Sequence, residues 1–148
     1  MQKCTLALGC FWGPEENFKN KPGITKTEVG YAGGEKHSVT YEEVCRGNTG
    51  HAEVVQLTFD EKIISYEKIL EIFFKSHDPT QRDMQYPDIG TQYRSEIFYE
   101  SEDQKEIAIK YKNILNKDYN GKIETNISKI KNYCKAEDYH QKYIEKNK

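Results

Sequence analysis

No stretch of this 148-residue chain approaches the roughly 18 consecutive apolar residues of a membrane span. A signal peptide is missing too: Met1-Gln2-Lys3 leads into only a short apolar run, Thr5 to Leu8, with no small-residue cleavage site placed to follow it. Ala7-Leu8-Gly9-Cys10 has the outline of a lipoprotein processing site, but too little chain precedes it. Asn126-Ile127-Ser128 fits a glycosylation pattern that no secretion signal supports. A cytoplasmic protein is expected. Neither charge sign is in surplus, with 22 Lys and Arg against 24 Asp and Glu, so the chain lacks the excess of cations that displaces counterions from nucleic acid. There is no Cys-x-x-Cys pair, and Cys4, Cys10, Cys45 and Cys134 fall at no familiar zinc spacing. That argues against a structural metal site and a disulfide framework, and leaves thiol chemistry or simple burial. No Gly-Lys-Ser/Thr follows the glycines at 30, 33 and 34, so they mark a bend and not a phosphate loop. Internal repeats and linkers are absent as well.

What is present suits a single domain over residues 1–148, long enough to bury a sizeable core. Lys3 to Leu8 alternates as a strand that Gly9 ends, and Pro14 stands where its missing N–H is spare at a helix start. Pro22-Gly23 is a turn, and Ile24 to Tyr31 a second strand with Val29 and Tyr31 on one side. Thr40 to Val44 is one helical turn, and Gly47 to Gly50 is loop. Ala52 to Phe59 is the clearest strand, with Val55, Leu57 and Phe59 alternating against Gln56 and Thr58. Ser65 caps a helix whose apolar face carries Ile69, Leu70, Ile72, Phe73 and Phe74. Asp78 to Ile89 reads as a long loop of the kind that is usually functional in a small domain. Tyr93 to Tyr99 is a strand, Ser101 and Gln104 form a capping box for the next helix, Lys122 to Ile127 is a last strand, and Asp138 to Glu145 a terminal helix. The order β-α-β-β-α-β-α-β-α predicts an α+β fold: a ferredoxin-like two-layer sandwich, a mixed sheet with helices packed on it and long loops at the strand ends. The polar excess of the C-terminal third, rich in Lys, Asn and Ile, reads as solvated surface on short amphipathic elements.

The chemistry concentrates in Gly9-Cys10-Phe11-Trp12-Gly13. A cysteine between a strand and a helix start is placed for ionisation, because unpaired N–H groups at the helix N-terminus stabilise a thiolate. Flanking glycines allow a sharp turn and keep bulk away from the sulfur. Phe11 and Trp12, the latter the only tryptophan, set two aromatic rings beside this nucleophile, a surface suited to a small apolar group such as a methyl. The competing reading is a buried core cysteine among core aromatics.

Further motifs follow in order: Gly30-Tyr31-Ala32-Gly33-Gly34, Tyr41 through Val44-Cys45, Gly50-His51-Ala52-Glu53, His77-Asp78-Pro79-Thr80-Gln81, Asp88 through Gly90-Thr91-Gln92-Tyr93-Arg94-Ser95, and Ala136-Glu137-Asp138-Tyr139-His140-Gln141. Each alone is weak; in register, from Thr5 to about Tyr143, they resemble the peptide methionine sulfoxide reductase A family. The resemblance implies reduction of the S epimer of methionine sulfoxide by attack of the Cys10 thiolate on the sulfoxide sulfur. It implies Glu53 as the acid that protonates the oxygen, its pKa raised by burial. It implies Tyr41 and Tyr93 as hydrogen-bond donors to that oxygen, Asp88 as a loop carboxylate organising the site, and Phe11 and Trp12 as walls for the methyl group. Read without the resemblance, Glu53 is an edge carboxylate, the tyrosines are two among 11, and Asp88 is a turn residue. His51 and His140 lie in these motifs and read as structural.

Attack leaves a sulfenic acid on Cys10. Many members of the family carry a resolving cysteine in a glycine-rich tail, whereas this sequence stops at Ile144-Glu145-Lys146-Asn147-Lys148. Cys134 is the first candidate to take that role, an ordinary half-buried cysteine being the alternative. Cys45 is expected to be buried, and Cys4, six residues before Cys10 on the first strand, to point away from it or into the core. No bound cofactor is expected; thioredoxin, acting on a Cys10–Cys134 disulfide, or another thiol is the expected reductant, with oxidised proteins or free methionine sulfoxide as substrate and a monomer as the working form. The rival functions are a Cys10 hydrolase or transferase using His51 or His140, a non-enzymatic thiol redox or metal-binding module, and a degenerate relative kept for protein binding.

Overall fold

The computed structural model describes residues 1–147. Its strands are β1 (Gln2–Leu8), β2 (Ile24–Ala32), β3 (Ala52–Phe59), β4 (Met84–Gln85), β5 (Asp88–Ile89), β6 (Ser95–Tyr99), β7 (Asn126–Lys129) and β8 (Cys134–Lys135). Its α-helices are α1 (Trp12–Phe18), α2 (Tyr41–Cys45), α3 (Tyr66–Lys75), α4 (Glu102–Asn116) and α5 (Tyr143–Lys146). Six strands form one sheet in the order β7-β6-β1-β3-β2-β8. The central four, β6-β1-β3-β2, pair antiparallel in the ferredoxin-like order; β7 adds parallel to β6 at one edge and β8 antiparallel to β2 at the other. The expected α+β mixed sheet with helices packed on it is therefore what the chain forms.

Burial follows the two-residue period of the strands. Cys4, Leu6 and Leu8 of β1 meet Val55, Leu57 and Phe59 of β3 and Val29 and Tyr31 of β2 in the main core, which Phe18 of α1 and Ile69, Leu70 and Phe73 of α3 cover. On the other face Ala7, Ala32, Ala52, Val54 and Phe98 form a smaller cluster closed by Ile130 and Tyr133. Ser65 caps α3 by accepting from the Lys68 N–H, worth about 1 kcal/mol. Ser101 likewise caps α4, but the Gln104 side chain reaches the Glu100 N–H and not that of Ser101. A complete capping box forms instead at Thr40 and Glu43, which fixes the start of α2.

The C-terminal third departs from expectation. The last long strand starts at Asn126 and not at Lys122, because the backbone before it is already engaged: Ile123 N–H donates to the Asn116 side chain and Glu124 N–H to the Pro79 carbonyl. The expected helix from Asp138 to Glu145 is a 3-10 turn (Asp138–His140) and the short α5, interrupted at Lys142. Lys142 is left-handed, with φ 51°, and its N–H donates to the buried Glu15 carboxylate at 2.6 Å. One residue earlier, the Gln141 amide accepts from Val29 N–H and donates to Val29 C=O, both at 2.9 Å, so a side chain extends the sheet edge where a helix would have pulled away. Within the expected loop, β4 and β5 form a small hairpin, and the expected strand from Tyr93 begins at Ser95 after a 3-10 turn (Thr91–Tyr93).

Candidate active site

Cys10 follows the bend at Gly9, whose φ is +96°, and precedes α1. That bend needs glycine twice over: the φ is left-handed, and a Cβ there would stand 3.0 Å from Cβ and Cγ of Gln85. The β4–β5 hairpin thus packs directly against the Cys10 turn. Gln85 is in turn held by the Asp78 N–H, while Asp78 accepts from Thr80 and Gln81. His77 anchors the start of this segment through the Phe73 carbonyl and the Ser95 hydroxyl, each at 2.7 Å, and burial lowers its pKa to about 4, which keeps the ring neutral.

Under Cys10 lies Glu53 of β3, only 1% exposed. Its Oε1 accepts from Phe11 N–H at 3.3 Å, and its Oε2 is buried with no partner. Burial pushes its pKa up to about 8, against the Phe11 hydrogen bond that lowers it and with a smaller upward push from Asp88. At neutral pH this carboxyl is therefore mostly protonated, with one oxygen free to present the proton.

The Cys10 thiol itself runs against expectation. Burial pushes it up to about 11, and charges on Glu53, Asp88 and Cys45 add to this; the Trp12 N–H is the one group pulling it down. Near pH 7 the Glu53 contribution vanishes because Glu53 carries its proton. The sulfur rests as a thiol, and its ionisation must be driven by what binds.

Tyr41 at the start of α2 and Tyr93 at the end of the 3-10 turn are both half-buried around this pair, and burial raises both above the ordinary tyrosine range. Each is within electrostatic reach of Glu53, and Tyr93 also of Cys10, Cys45 and Asp88. Asp88, half-buried on β5, stands within reach of Cys10, Glu53 and Tyr93. The structure thus gathers Cys10, Glu53, Tyr41, Tyr93 and Asp88 in one place.

The aromatic walls divide unequally. Phe11 is buried beneath the site against Tyr31 and His140, with ring centroids 5.7 and 5.1 Å apart, whereas Trp12 is half-buried. The Trp12 indole stacks on Tyr143 at 3.8 Å and donates from Nε1 to His140 Nδ1 at 3.0 Å. His140 also lies against Tyr41 at 4.4 Å, so it joins the three rings around the nucleophile. Glu137 completes the support: one oxygen accepts from the Tyr31 hydroxyl at 2.8 Å, the other from Tyr41 N–H at 2.9 Å. Burial alone would raise its pKa, but those hydrogen bonds hold it below the ordinary carboxylate value. In their motif the sequence read His140 as structural and gave Glu137 no role; no local pattern shows that their segment folds back onto β2 and α1.

The other cysteines take different places. Of the two placements open to Cys4, the structure shows the second: it is sealed in the core. Cys45 is exposed and not buried: α2 has only five residues, so its last position lies clear of the core that Val44 enters. Cys134 lies on β8 opposite Tyr31, which itself pairs with Glu53; its sulfur faces the Val39 carbonyl at 3.7 Å. In the sheet order β8 is three strands from β1, roughly 14 Å at ordinary strand spacing. His51 is buried with Nε2 against the Asn132 carbonyl at 3.2 Å, and the Trp12 bond occupies His140 Nδ1. Neither is seated as a base on Cys10. Among the described residues no group of three or more His, Cys, Asp or Glu is arranged to hold a metal ion.

The family model for peptide methionine sulfoxide reductase matches residues 2–148. A relative from Pelagibacter ubique named peptide methionine sulfoxide reductase MsrA is 59% identical over 146 residues, 99% of each chain. Reduced Mxr1 of Saccharomyces cerevisiae superposes with a TM-score of 0.93 at 40% identity, covering 99% of this chain and 85% of that one. The same yeast protein in complex with Trx2 gives a TM-score of 0.67 at 28% identity, covering 96% and 84%. The chain belongs to the peptide methionine sulfoxide reductase family, among the oxidoreductases named MsrA.

Proposed function

We propose that the protein reduces the S epimer of methionine sulfoxide, in peptides and as the free amino acid, with Cys10 as nucleophile and Glu53 as acid. The observation that carries this reading is the buried Glu53 carboxyl, tied to Phe11 N–H beside Cys10 and keeping its second oxygen unpartnered. A sulfoxide oxygen leaves poorly until protonated, and a carboxyl with a pKa near 8 holds a proton to give at neutral pH.

In this reading the substrate methyl rests on Trp12, above Phe11. The sulfoxide oxygen points at Glu53 Oε2 and takes hydrogen bonds from the Tyr41 and Tyr93 hydroxyls. The positive end of the S–O dipole faces Cys10, which offsets the burial that holds the thiol neutral. The Cys10 sulfur then bonds to the sulfoxide sulfur as Glu53 protonates the oxygen. The balance is one sulfoxide and one thiol giving one sulfide and one sulfenic acid. The substrate S–O bond and the transient bond between the two sulfurs then break as the hydroxyl passes to Cys10, so the substrate sulfur leaves as methionine with the electron pair that Cys10 loses, and the Cys10 proton replaces the one Glu53 gave. Asp88 helps order the hairpin side of the site. A thiol must then restore Cys10; thioredoxin is favoured, since a relative has been solved with Trx2 bound. A cytoplasmic, monomeric enzyme acting without a bound cofactor accords with this scheme.

The test is turnover of resolved dabsyl-methionine sulfoxide epimers with dithiothreitol. The S epimer alone should be consumed, and Cys10→Ser should abolish the reaction. Equal use of both epimers, or persistence in Cys10→Ser, would contradict the reading.

A further inference from the structure

We propose that Cys45 is the thiol that resolves the Cys10 sulfenic acid, closing a Cys10–Cys45 disulfide that an external dithiol protein then opens. The inference rests on the sulfoxide-reductase reading of Cys10.

Geometry separates the three remaining sulfurs. Cys4 is sealed near the other end of β1. Cys134 lies across Tyr31 on the sheet edge, its sulfur turned to Val39 and Lys135 carbonyls. Cys45 lies on α2 one turn after Tyr41, and residues four apart share a helix face. The Tyr41 ring lies 4.4 Å from His140, and His140 5.1 Å from Phe11, the neighbour of Cys10. The Tyr41 hydroxyl and the Cys45 sulfur lie within electrostatic reach of each other, so the two side chains share the same space. From the opposite side, Gln92 Nε2 reaches the Cys45 carbonyl at 3.5 Å, immediately before Tyr93. Cys45 is thus bracketed by the two tyrosines assigned to the sulfoxide oxygen, and it lies within electrostatic reach of Cys10.

A disulfide needs Cα atoms about 4.4–6.8 Å apart. The end of α2 that carries Cys45 is the lightly held one: the capping box and Glu137 anchor its start, only Val44 is buried, and the following loop has left-handed glycines at 47 and 50. The exposure of Cys45 leaves the resulting disulfide open to attack by a partner thiol. In the step itself the Cys45 sulfur attacks the Cys10 sulfur, the S–S bond forms as the Cys10 S–O bond breaks, and the hydroxyl leaves with the Cys45 proton as water. Cys45 and Cys10 together then accept two electrons from the external dithiol.

The experiment gives the reduced, full-length protein one equivalent of dabsyl-methionine-S-sulfoxide without reductant, then maps peptides under non-reducing conditions. The wild type should release one methionine per chain, fall from four free thiols to two, and yield a peptide joining Cys10 to Cys45. Cys134→Ser should give the same link. Cys45→Ser should stop after one methionine with Cys10 reactive toward dimedone, and its thioredoxin-driven turnover should drop about tenfold or more. A Cys10–Cys134 link, or a wild-type sulfenic acid with Cys45 still reduced, would overturn the proposal. Failure of the wild type to release methionine would instead overturn the reading of Cys10 on which it rests.

Discussion

Two carboxyl groups flank Tyr31, and the protein holds them in opposite states. Glu53, paired with Tyr31 across β2 and β3, has one hydrogen bond and one bare buried oxygen, and its pKa is pushed up to about 8. Glu137 accepts the Tyr31 hydroxyl on one oxygen and Tyr41 N–H on the other, and is held below the ordinary carboxylate value. Burial opposes charge at both. Depth of burial and number of donors together decide the outcome: Glu53 is fully buried with one donor, Glu137 half-buried with two, and each N–H or O–H given to a carboxylate stabilises the ion. Glu137 is thereby a fixed anion that positions Tyr41, and Glu53 a proton store beneath Cys10.

The sharpest way to break this comparison is Glu53→Gln, which keeps the shape and removes the proton. It should lower kcat/KM by about 10²–10⁴, with substrate binding little altered; near-normal steady-state rates would deny Glu53 its role as acid. Next comes Glu137→Gln. Its amide can keep Tyr41 N–H on its oxygen only by setting its own N–H against the Tyr31 hydroxyl, which must turn round to accept; losing both bonds to an anion costs about 1–3 kcal/mol of folding stability by chemical denaturation and loosens Tyr41. The midpoint of Glu53 titration should stay in place, because Glu137 does not feature in its environment.

The smallest effects are in pH. Wild-type kcat/KM should fall as pH rises through about 8, where Glu53 loses its proton, and Glu53→Gln should lack that limb. Stability follows the same group. With the folded pKa above the unfolded value, the native state binds more protons between pH about 4.5 and 8, so the wild type loses stability relative to Glu53→Gln as pH rises through that window. A gap of up to about 5 kcal/mol by pH 9 is expected. Glu137 has the opposite sign: its contribution is complete above the ordinary carboxylate value and is lost as pH falls through its lowered pKa.

How far the sequence could be read follows the range of the forces involved. Strand alternation in β1 and β3 and the Ser65 cap are local patterns, and they predicted elements that form as read. The motifs named the four polar residues, Glu53, Tyr41, Tyr93 and Asp88, that the fold gathers around Cys10. What escaped reading depends on contacts distant in sequence. Lys142 breaks the terminal helix because Glu15, far back on α1, takes its N–H. Lys122 to Thr125 is no strand because the Asn116 side chain and the Pro79 carbonyl hold its backbone. Local logic also overestimated the helix N-terminus at Cys10: one N–H from Trp12 does not offset burial. The exposure of Cys45 depended on α2 ending after one turn, a boundary that its capping box at Thr40 fixes at the start only.

The account stands on the protonation state of Glu53, and a pH titration of its side-chain carboxyl, labelled with carbon-13 and followed by NMR in the full-length protein, measures that directly. The carboxyl should remain largely protonated at pH 7 and titrate near 8. A midpoint at the ordinary glutamate value of about 4.3 would leave a carboxylate beneath Cys10 and contradict the mechanism.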